Sequence, residues 1–528
     1  YGEKVEPVIG DAIVNNSWPK FLHPYPLSDK YFLVAMQPDA QSLWGIYLVD
    51  IFDNMVLIKE QPGDVLFEPV PLRSTTKPPI IQDRVDLEQS EAIVYLSDIY
   101  KGNGLEGVPR GTVKQLRIFE QHYAYPGMGG HIHIGIDGPW DVHRILGTVP
   151  VEEDGSASFK VPANTPVAVQ PLDEQGRALQ IMRSWFTAMP GEILSCVGCH
   201  ESQNSTTPSK STVAMLRRPS KITPWRGPAR GFSFKREVQP VLDKHCVGCH
   251  DGTEADRPNF TIDRPSPFRN FTPSYCELHP YVRRPGPESD YFMQAPLEYH
   301  ASVSELVQML EKGHHGVQLD EEAWDRLITW IDLNVPDHGS WHEHRNGQRS
   351  DRAQRRLEMR KLYAFRDEDP EATPPLDVTP VAFVQPAQAP AEPPQELSLA
   401  GWPFDGAEAQ RQAIAAGVQP ELTVELADGL NLELVLIPAG RFVMGSVDGE
   451  ADERPQAVVN IEKPFYMGKF EITNGQFAAF DPAHDVGYIS FYNKDHSSRG
   501  ETVDRETQPV IRLSWNRAID FCRWLSER

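Results

Sequence analysis

Short apolar runs separated by turn-forming residues dominate the first 190 residues of the chain. The runs YFLVAM and GIYLVDIF, a polar break at Asp53 and Asn54, and the run MVLI predict a β-hairpin region. The pattern continues through EAIVYLSDIY, TVKQLRIFE, HIHIGI, ASFKV and TPVAVQPL, with glycine-rich breaks such as PGMGG and EEDGS between the runs. Many short strands with such breaks predict an all-β module.

Helical periodicity replaces this pattern beyond residue 230. The segment FSFKREVQPVLDKHC places its apolar residues on one helix face, and SVSELVQMLEKG ends on Gly313, a residue suited to a C-cap. Asp320 is placed to cap a helix that ends before Pro336. The apolar stripe of that helix is Trp324, Leu327, Ile328 and Ile331. A further helix over 350–366 is mostly charged and is predicted to be exposed.

A proline-rich segment separates the helical region from the last module. Eight of the 25 residues from Pro370 to Pro394 are proline, which predicts an extended, semi-rigid linker. Strand-like runs return beyond it, in LELVLIPAGRFVMGS and EKPFYMGKFEITN. Composition changes therefore predict domain boundaries near 85, 190–230 and 370–420.

The charge balance excludes some classes of protein. The 528 residues include 74 acidic and 51 basic side chains, a formal net charge of −23. Such a chain lacks the basic surface that binds nucleic acid or anionic lipid. No apolar run approaches the roughly 18 residues of a membrane span. Residue 1 is Tyr and the last residues, FCRWLSER, read as the middle of a helix, so we expect both ends to be cut.

Four of the six cysteines lie in two identical CVGCH pentapeptides, Cys196 to His200 and Cys246 to His250. C-x-x-C-H is the attachment signature of c-type haem, in which the thiols of Cys196 and Cys199, or of Cys246 and Cys249, bond to the porphyrin and the histidine ligates iron. We therefore predict two covalently bound haems. A zinc site would use closer cysteine pairs than these, which lie 47 residues apart, and a thioredoxin-like redox pair would need a βαβ context.

Each predicted haem needs a sixth iron ligand or an open face. The turn Gly313-His314-His315-Gly316 lies between two predicted helices, so we expect His314 or His315 to complete the second site. Met293 is the main alternative there, and other candidates are His279, His300 and Met309. Near the first motif the candidates are His122, His131, His133 and His143, of which His131 and His133 would share one face of a strand.

The stretches VPRGTVKQLRIFE, GIDGPWDVHRILGTVPV and EEDGSASFKV through LSCVGCHES resemble the middle domain of the hydrazine synthase alpha subunit family. REVQPVLDKHCVGCHDG and GHHGVQLDEEAWDRLITWIDLNVPDHGSW resemble its C-terminal haem domain, and the start of the chain looks like the end of its β-propeller. The resemblance implies a haem at each motif, the second with a histidine from the 314–315 pair. That family ligates its first haem through a Tyr shortly after the motif. Here ESQNSTTPSK follows and the next Tyr is Tyr275, which leaves His200 as the simpler ligand.

The last module contains the stretches LVLIPAGRFVMGS, ERPQAVVNIEKPFYMGKFEITNGQFAAF and QPVIRLSWNRAIDFCRWLSER. These are similar to the formylglycine-generating, or sulfatase-modifying factor, family. The similarity implies a mixed C-type-lectin-like fold whose reactive cysteines lie beyond this sequence, so we expect the module to be too short for activity. Cys522 matches an earlier position in that family, where we expect it to be packed.

These observations predict a multi-domain chain with a β-rich N-terminal part. The predicted segments are a propeller end (1–85), an all-β middle domain (86–205), a small α-helical cytochrome c-like domain (225–345), a charged helix with a proline-rich linker (346–420) and a truncated α+β C-type-lectin-like domain (421–528). The leading interpretation is an exported, periplasmic or equivalent dihaem cytochrome. It would pass electrons to a redox partner protein or a further haem subunit, with the first haem as a candidate oxidoreductase centre.

Two other interpretations stay open. In one, the last module is a protein-modifying enzyme or binding head carried on the haem-containing part. In the other, the chain is a β-rich scaffold whose cysteine pairs bind zinc.

Overall fold

A computed structural model describes residues 14–80, 83–202, 204–208, 211–285, 293–373, 381–386, 396–415, 417–447, 453, 455–486, 488–489 and 501–528. The chain divides into two compact units. The first comprises residues 1–83 and 487–503, and the second comprises the remainder.

The first unit contains an antiparallel four-strand meander. Its strands are β1 (Lys20–Pro26), β2 (Tyr31–Gln37), β3 (Gly45–Asp50) and β4 (Met55–Lys59), paired in chain order. The predicted strands and turn are confirmed: Asp53 adopts φ 66°, a conformation that Asp tolerates in tight turns. Strand β1 was not predicted, because two prolines and a histidine interrupt its apolar pattern. The short paired strands Tyr488–Ile489 and Glu501–Thr502 also belong to this unit.

The second unit opens with a β module of two sheets. Its strands are β5 (Glu91–Leu96), β6 (Gln115–His122), β7 (Val142–Pro150), β8 (Ala157–Pro162), β9 (Val167–Leu172), β10 (Ile193–Cys196) and β11 (Arg230–Gly231). One sheet has the order β10-β5-β8 and the other β11-β7-β6-β9. Their buried side chains, such as Leu116, Ile118 and Phe159, form one core that also contacts Cys196 and Cys199. The predicted runs EAIVYL, QLRIFE, ASFKV and VAVQPL are confirmed as strands.

The predicted strand at HIHIGI is wrong, because residues 131–136 form turns. The N–H of Gly138 donates to the carbonyl of His131 at 3.2 Å, which closes the segment on itself. Gly135 also lies so close to other backbone that a Cβ there would be 2.5 Å from the Val335 carbonyl oxygen. Glycine has no Cβ and therefore allows that close approach between the two backbone segments.

The described residues between 234 and 364 form seven α-helices. They are α1 (Phe234–Glu237), α2 (Gln239–His245), α3 (Pro273–Leu278), α4 (Glu305–Glu311), α5 (Glu321–Asp332), α6 (Trp341–His344) and α7 (Ala353–Ala364). Both predicted caps are confirmed. Gly313 after α4 adopts φ 88°, and the Asp320 carboxylate accepts from the Ala323 N–H at 2.8 Å.

One predicted helix is interrupted. The segment FSFKREVQPVLDKHC forms α1 and α2 rather than a single helix, because Pro240 has no N–H to donate to the preceding turn. Its apolar face is nevertheless buried, together with Trp330 and Tyr275, in one core.

The helix predicted as charged and exposed has six exposed residues among its twelve, but one of its faces packs against the β module. Arg360 of α7 hydrogen-bonds to Glu120, which is 1% exposed on β6 and also pairs with Arg144 at 2.7 Å. Further along, the Glu371 carboxylate hydrogen-bonds to the buried His122. Residues up to 371 therefore belong to the packed structure. The proline content had predicted that the linker begins at Pro370.

The last part of the second unit mixes strands and helices. It contains α8 (Gly406–Ala415), β12 (Glu421–Ala427), β13 (Leu430–Ile437), β14 (Gly440–Met444), β15 (Ala457–Ile461), β16 (Phe465–Gly468), α9 (Asn474–Ala478) and α10 (Trp515–Ser526). Leu426, Leu432 and Leu434 form its small core. Cys522, predicted to be packed, is exposed on α10, whereas the adjacent Phe521 is buried.

Throughout the part of the chain that the structure describes, no helix has the length and apolar character needed to cross a membrane.

Candidate functional site

The first CVGCH motif begins at the end of strand β10. This strand pairs in parallel with β5, so that Cys196 lies opposite Leu96. The loop after β5 then clamps the motif: the N–H of Cys199 donates to the Lys101 carbonyl at 2.8 Å, and its carbonyl accepts from the Gly104 N–H at 3.1 Å. The β module therefore holds the motif through its backbone.

Both thiols of this motif border a cavity of about 620 Å³. This volume is within the range of ligand pockets, about 300–1,000 Å³. Its base is apolar and includes Val94, Leu96 and Phe159. The polar or charged residues of its wall are Gln180, Arg183, Ser184, His200, Glu201 and Gln294.

Burial affects the chemistry of the thiols. Burial, and secondarily the Glu201 carboxylate, raise the pKa of Cys196 and of Cys199 to about 11. Burial raises the pKa of Cys246 in the second motif to about 12. Cysteines reactive in thiol–disulfide exchange typically have a lowered pKa. Burial of Cys196, Cys199 and Cys246 therefore disfavours a thioredoxin-like role for these three thiols.

The histidines considered for the first site lie elsewhere. The residues that line its cavity, among those the structure describes, include none of His122, His131, His133 and His143. His122 is bonded to Glu371, and His133 lies 3.2 Å from the ring nitrogen of His344. His131 pairs with Trp140, and the buried His143 packs against Phe119. His200 itself lines the cavity and is exposed at its mouth.

Tyr275, the next tyrosine along the chain after the first motif, has no free hydroxyl. The side chain is fully buried in the helical region. Its hydroxyl donates to the Val335 carbonyl at 2.9 Å and accepts from the Ile136 N–H at 2.8 Å. Tyr275 is therefore engaged in packing this region.

The second motif follows helix α2, and its histidine is oriented by a backbone contact. The His250 Nδ1–H donates to the carbonyl of Pro258 at 3.1 Å, and its ring lies 4.9 Å from that of Phe260. This hydrogen bond sets the tautomer, so that Nε2 carries the free lone pair. Metal-ligating histidines are commonly fixed in this way.

His314 faces this imidazole. The ring centroids of His250 and His314 are 6.1 Å apart and the ring planes differ by 25°. Burial and the neighbouring imidazoles of His315 and His250 lower the pKa of His314 to about 4, which keeps it in the neutral form that binds metals. His315 is exposed, adopts φ 46° and packs edge-on against His314. The structure thus distinguishes the two members of the pair.

The remaining candidates for the second site have other positions. Met293 lines the cavity of the first motif. The ring of His279 stacks on Tyr275, and Met309 packs on the helical core. His300 is fully buried next to α4.

Across the described residues, no group of three or more His, Cys, Asp and Glu side chains is placed to hold a metal ion. In particular, the two cysteine pairs do not form a joint cluster there. A haem iron takes only one or two ligands from the protein, so this finding bears on a zinc site rather than on haem.

Three groups at the two sites could not be predicted from the sequence: the Pro258 carbonyl, Gln180 and Gln294. None belongs to a motif, because each acts through its place in the tertiary structure. A backbone carbonyl leaves no signal in a sequence, and the two glutamines carry none of the residue types used to search for metal or catalytic sites.

Comparisons with known proteins match two parts of the chain. Residues 111–201 match the hydrazine synthase alpha subunit middle domain, and residues 421–528 match the sulfatase-modifying factor enzyme 1-like domain. A solved structure, Kuenenia stuttgartiensis hydrazine synthase, is similar with a TM-score of 0.45 and 17% identity, over 60% of this chain and 55% of that chain.

Curated relatives match the C-terminal part. The formylglycine-generating enzyme of Thermomonospora curvata is 28% identical over 146 residues, which is 20% of this chain and 46% of that protein. The inactive C-alpha-formylglycine-generating enzyme 2 of Bos taurus is 29% identical over 146 residues, 20% of this chain and 48% of that protein. The chain thus spans less than half the length of these relatives. It joins a hydrazine synthase alpha-like middle domain and a sulfatase-modifying factor domain on one polypeptide.

Proposed function

We propose that this chain is an exported c-type cytochrome protein that carries two haems and transfers electrons. Cys196 and Cys199 would hold the first haem and Cys246 and Cys249 the second. His200 and His250 would each ligate one iron. The haem supplies a one-electron couple, and the protein determines its ligands, burial and hydrogen bonds.

The arrangement of His250 and His314 carries this proposal. Both imidazoles would hold the second haem: their ring centroids are 6.1 Å apart and the ring planes differ by 25°. The Pro258 hydrogen bond keeps Nε2 of His250 available, and the glycines on both sides of the 314–315 pair allow a close backbone approach. His314 is thus the proposed distal ligand.

The first site supports the same chemistry with a different environment. Its two thiols and His200 share one cavity, whose lining combines apolar side chains with a few polar and charged ones. A haem is a flat, mainly apolar ligand, and burial of this kind excludes water from its faces. An open sixth position there would suit an oxidoreductase function, and a second protein ligand would suit electron transfer alone.

The finer domain assignments belong to the same proposal. We assign the meander β1–β4 to the end of a propeller, residues 225–345 to a cytochrome c-like domain and residues 421–528 to a C-type-lectin-like fold. The location would be periplasmic or equivalent, where c-type haem is attached. The electron partner would be a redox protein or a further haem subunit.

Haem loading of the whole chain tests the proposal. Expressed together with a periplasmic haem-attachment system, the protein should gain the mass of two haems. Replacing Cys196 and Cys199 with Ala should remove one, and replacing Cys246 and Cys249 the other. Matched replacement of Cys276 and Cys522, which lie outside both motifs, should remove none. A folded protein with stoichiometric zinc and no bound haem would refute the proposal.

The family match of residues 421–528 supports a second candidate. In that case the C-terminal domain is a protein-modifying or binding head and the haem region is its support. Conversion of a sulfatase peptide by the chain would favour this candidate.

A further inference from the structure

The side chain of Gln294 is buried in the cavity of the first motif without a hydrogen-bond partner. It is 6% exposed, and neither its amide nitrogen nor its amide oxygen is bonded to any described residue. A buried amide without partners destabilises the fold. Such a group needs a physical explanation, and a missing ligand is one.

A second glutamine holds this segment in place. The Gln180 amide donates to the backbone carbonyl of Gln294 at 2.8 Å and to that of Gly104 at 3.2 Å. Gly104 in turn bonds to the first motif at Cys199. The N–H of Leu297 donates to the Leu179 carbonyl at 2.9 Å, which fixes the other end of the segment. Gln294 is therefore anchored to the motif through its backbone.

We infer that the Gln294 side chain is the hydrogen-bonding group for the occupant of this cavity, and that it donates to an oxygen atom of that occupant. A carboxamide provides two donors and an acceptor and carries no charge, so its burial without a partner costs less than that of a charged side chain. This inference rests on the proposed function. With a haem on Cys196 and Cys199, the acceptor oxygen belongs either to a propionate or to a small ligand on the iron.

The test uses the full chain with Cys246 and Cys249 replaced by Ala, so that only the first haem contributes to the spectra. Gln294→Leu removes the hydrogen bond, and Gln294→Met, an unbranched side chain of similar length, guards against a folding defect. Gln308→Leu, on the exposed face of α4, is the matched control. Mass spectrometry first confirms that every variant carries one haem.

Two outcomes support the inference and identify the source of the oxygen. If Gln294 bonds a propionate, both substitutions shift the midpoint potential and leave the stretching frequency of bound carbon monoxide unchanged. If it bonds a ligand on the iron, that frequency shifts and carbon monoxide dissociates about two- to tenfold faster, the range expected for one lost hydrogen bond.

The inference is overturned if loaded Gln294→Leu and Gln294→Met match the control in both measurements, because the amide then serves only an internal water. A parent protein without haem on Cys196 and Cys199 is a different result. It would refute the proposed function of this site.

Discussion

The two CVGCH motifs have the same five residues but stand in different structures. The first begins at the end of a β-strand and is held by backbone hydrogen bonds to residues 97–104. It borders a mainly apolar cavity. The second follows a helix, and the ring centroid of its histidine lies 6.1 Å from that of another imidazole. The pentapeptide thus specifies the spacing of two thiols and one imidazole. The elements around it determine which further groups the site has.

The largest expected effect concerns the second site. His314→Ala should convert the proposed second haem from low spin to a form that binds carbon monoxide, because the distal imidazole is lost. All variants carry Cys196→Ala and Cys199→Ala, so that only the second haem contributes to the spectra. His315→Ala is the matched control and should leave the spectrum unchanged, as should Met293→Ala, which alters the first cavity. Absorption spectra with and without carbon monoxide give the answer. Carbon monoxide binding in His315→Ala alone would reverse the assignment.

The third position of each pentapeptide allows a direct comparison of the motifs. A Cβ at Gly198 would lie 2.2 Å from the Lys101 carbonyl oxygen, whereas one at Gly248 would meet the ring of Phe383, which can move aside. Gly198→Ala should therefore lower haem occupancy at the first motif several-fold. Gly248→Ala should leave occupancy at the second unchanged. Peptide mass analysis after proteolysis measures both, and equal losses would contradict the comparison.

The β module contains a buried carboxylate, Glu120, that pairs with three guanidinium groups. Burial raises the pKa of Glu120, but Arg144, Arg360 and Arg366 lower it further, to about 2. A carboxyl group with a lowered pKa stabilises the fold above its unfolded pKa near 4.5, and this stability is lost as the pH falls towards 2.

Glu120→Gln should therefore cost about 3 kcal/mol of unfolding free energy at pH 7, because three guanidinium groups lose their buried partner. At pH 3 the difference from the parent protein should shrink. Denaturant unfolding at both pH values checks this. Glu91→Gln, an exposed carboxylate on β5, is the control. An equal difference at pH 3 and pH 7 would show that Glu120 does not act through its charge.

The smallest effect tests the helix that supports the second site. Asp320→Ala removes the N-cap of α5 and should cost about 1 kcal/mol. Asp320→Asn retains a capping oxygen and should cost less. The Lys244 ammonium also contacts Asp320, so Lys244→Ala separates the ion pair from the cap. A loss as large in Asp320→Asn as in Asp320→Ala would assign the effect to the ion pair.

Local patterns predicted much of the fold correctly. The strands near residues 31–59, the cap at Asp320 and the end of α4 at Gly313 depend on neighbours within a few residues, which the sequence displays. The errors have a different origin. Residues 131–136 turn because of a close approach to Val335, about 200 positions away, and α7 is packed because Arg360 reaches Glu120 across 240 positions.

The sequence by itself determined the residue types and short spacings of the two motifs, together with the likeness of two of its segments to known families. These depend only on covalent neighbours and on stretches of consecutive residues. The tertiary structure alone decided that His314 rather than His315 faces His250, that Met293 belongs to the first cavity and that Gln294 is buried there. Each of these depends on chain segments tens of residues apart, brought together by burial and backbone hydrogen bonds.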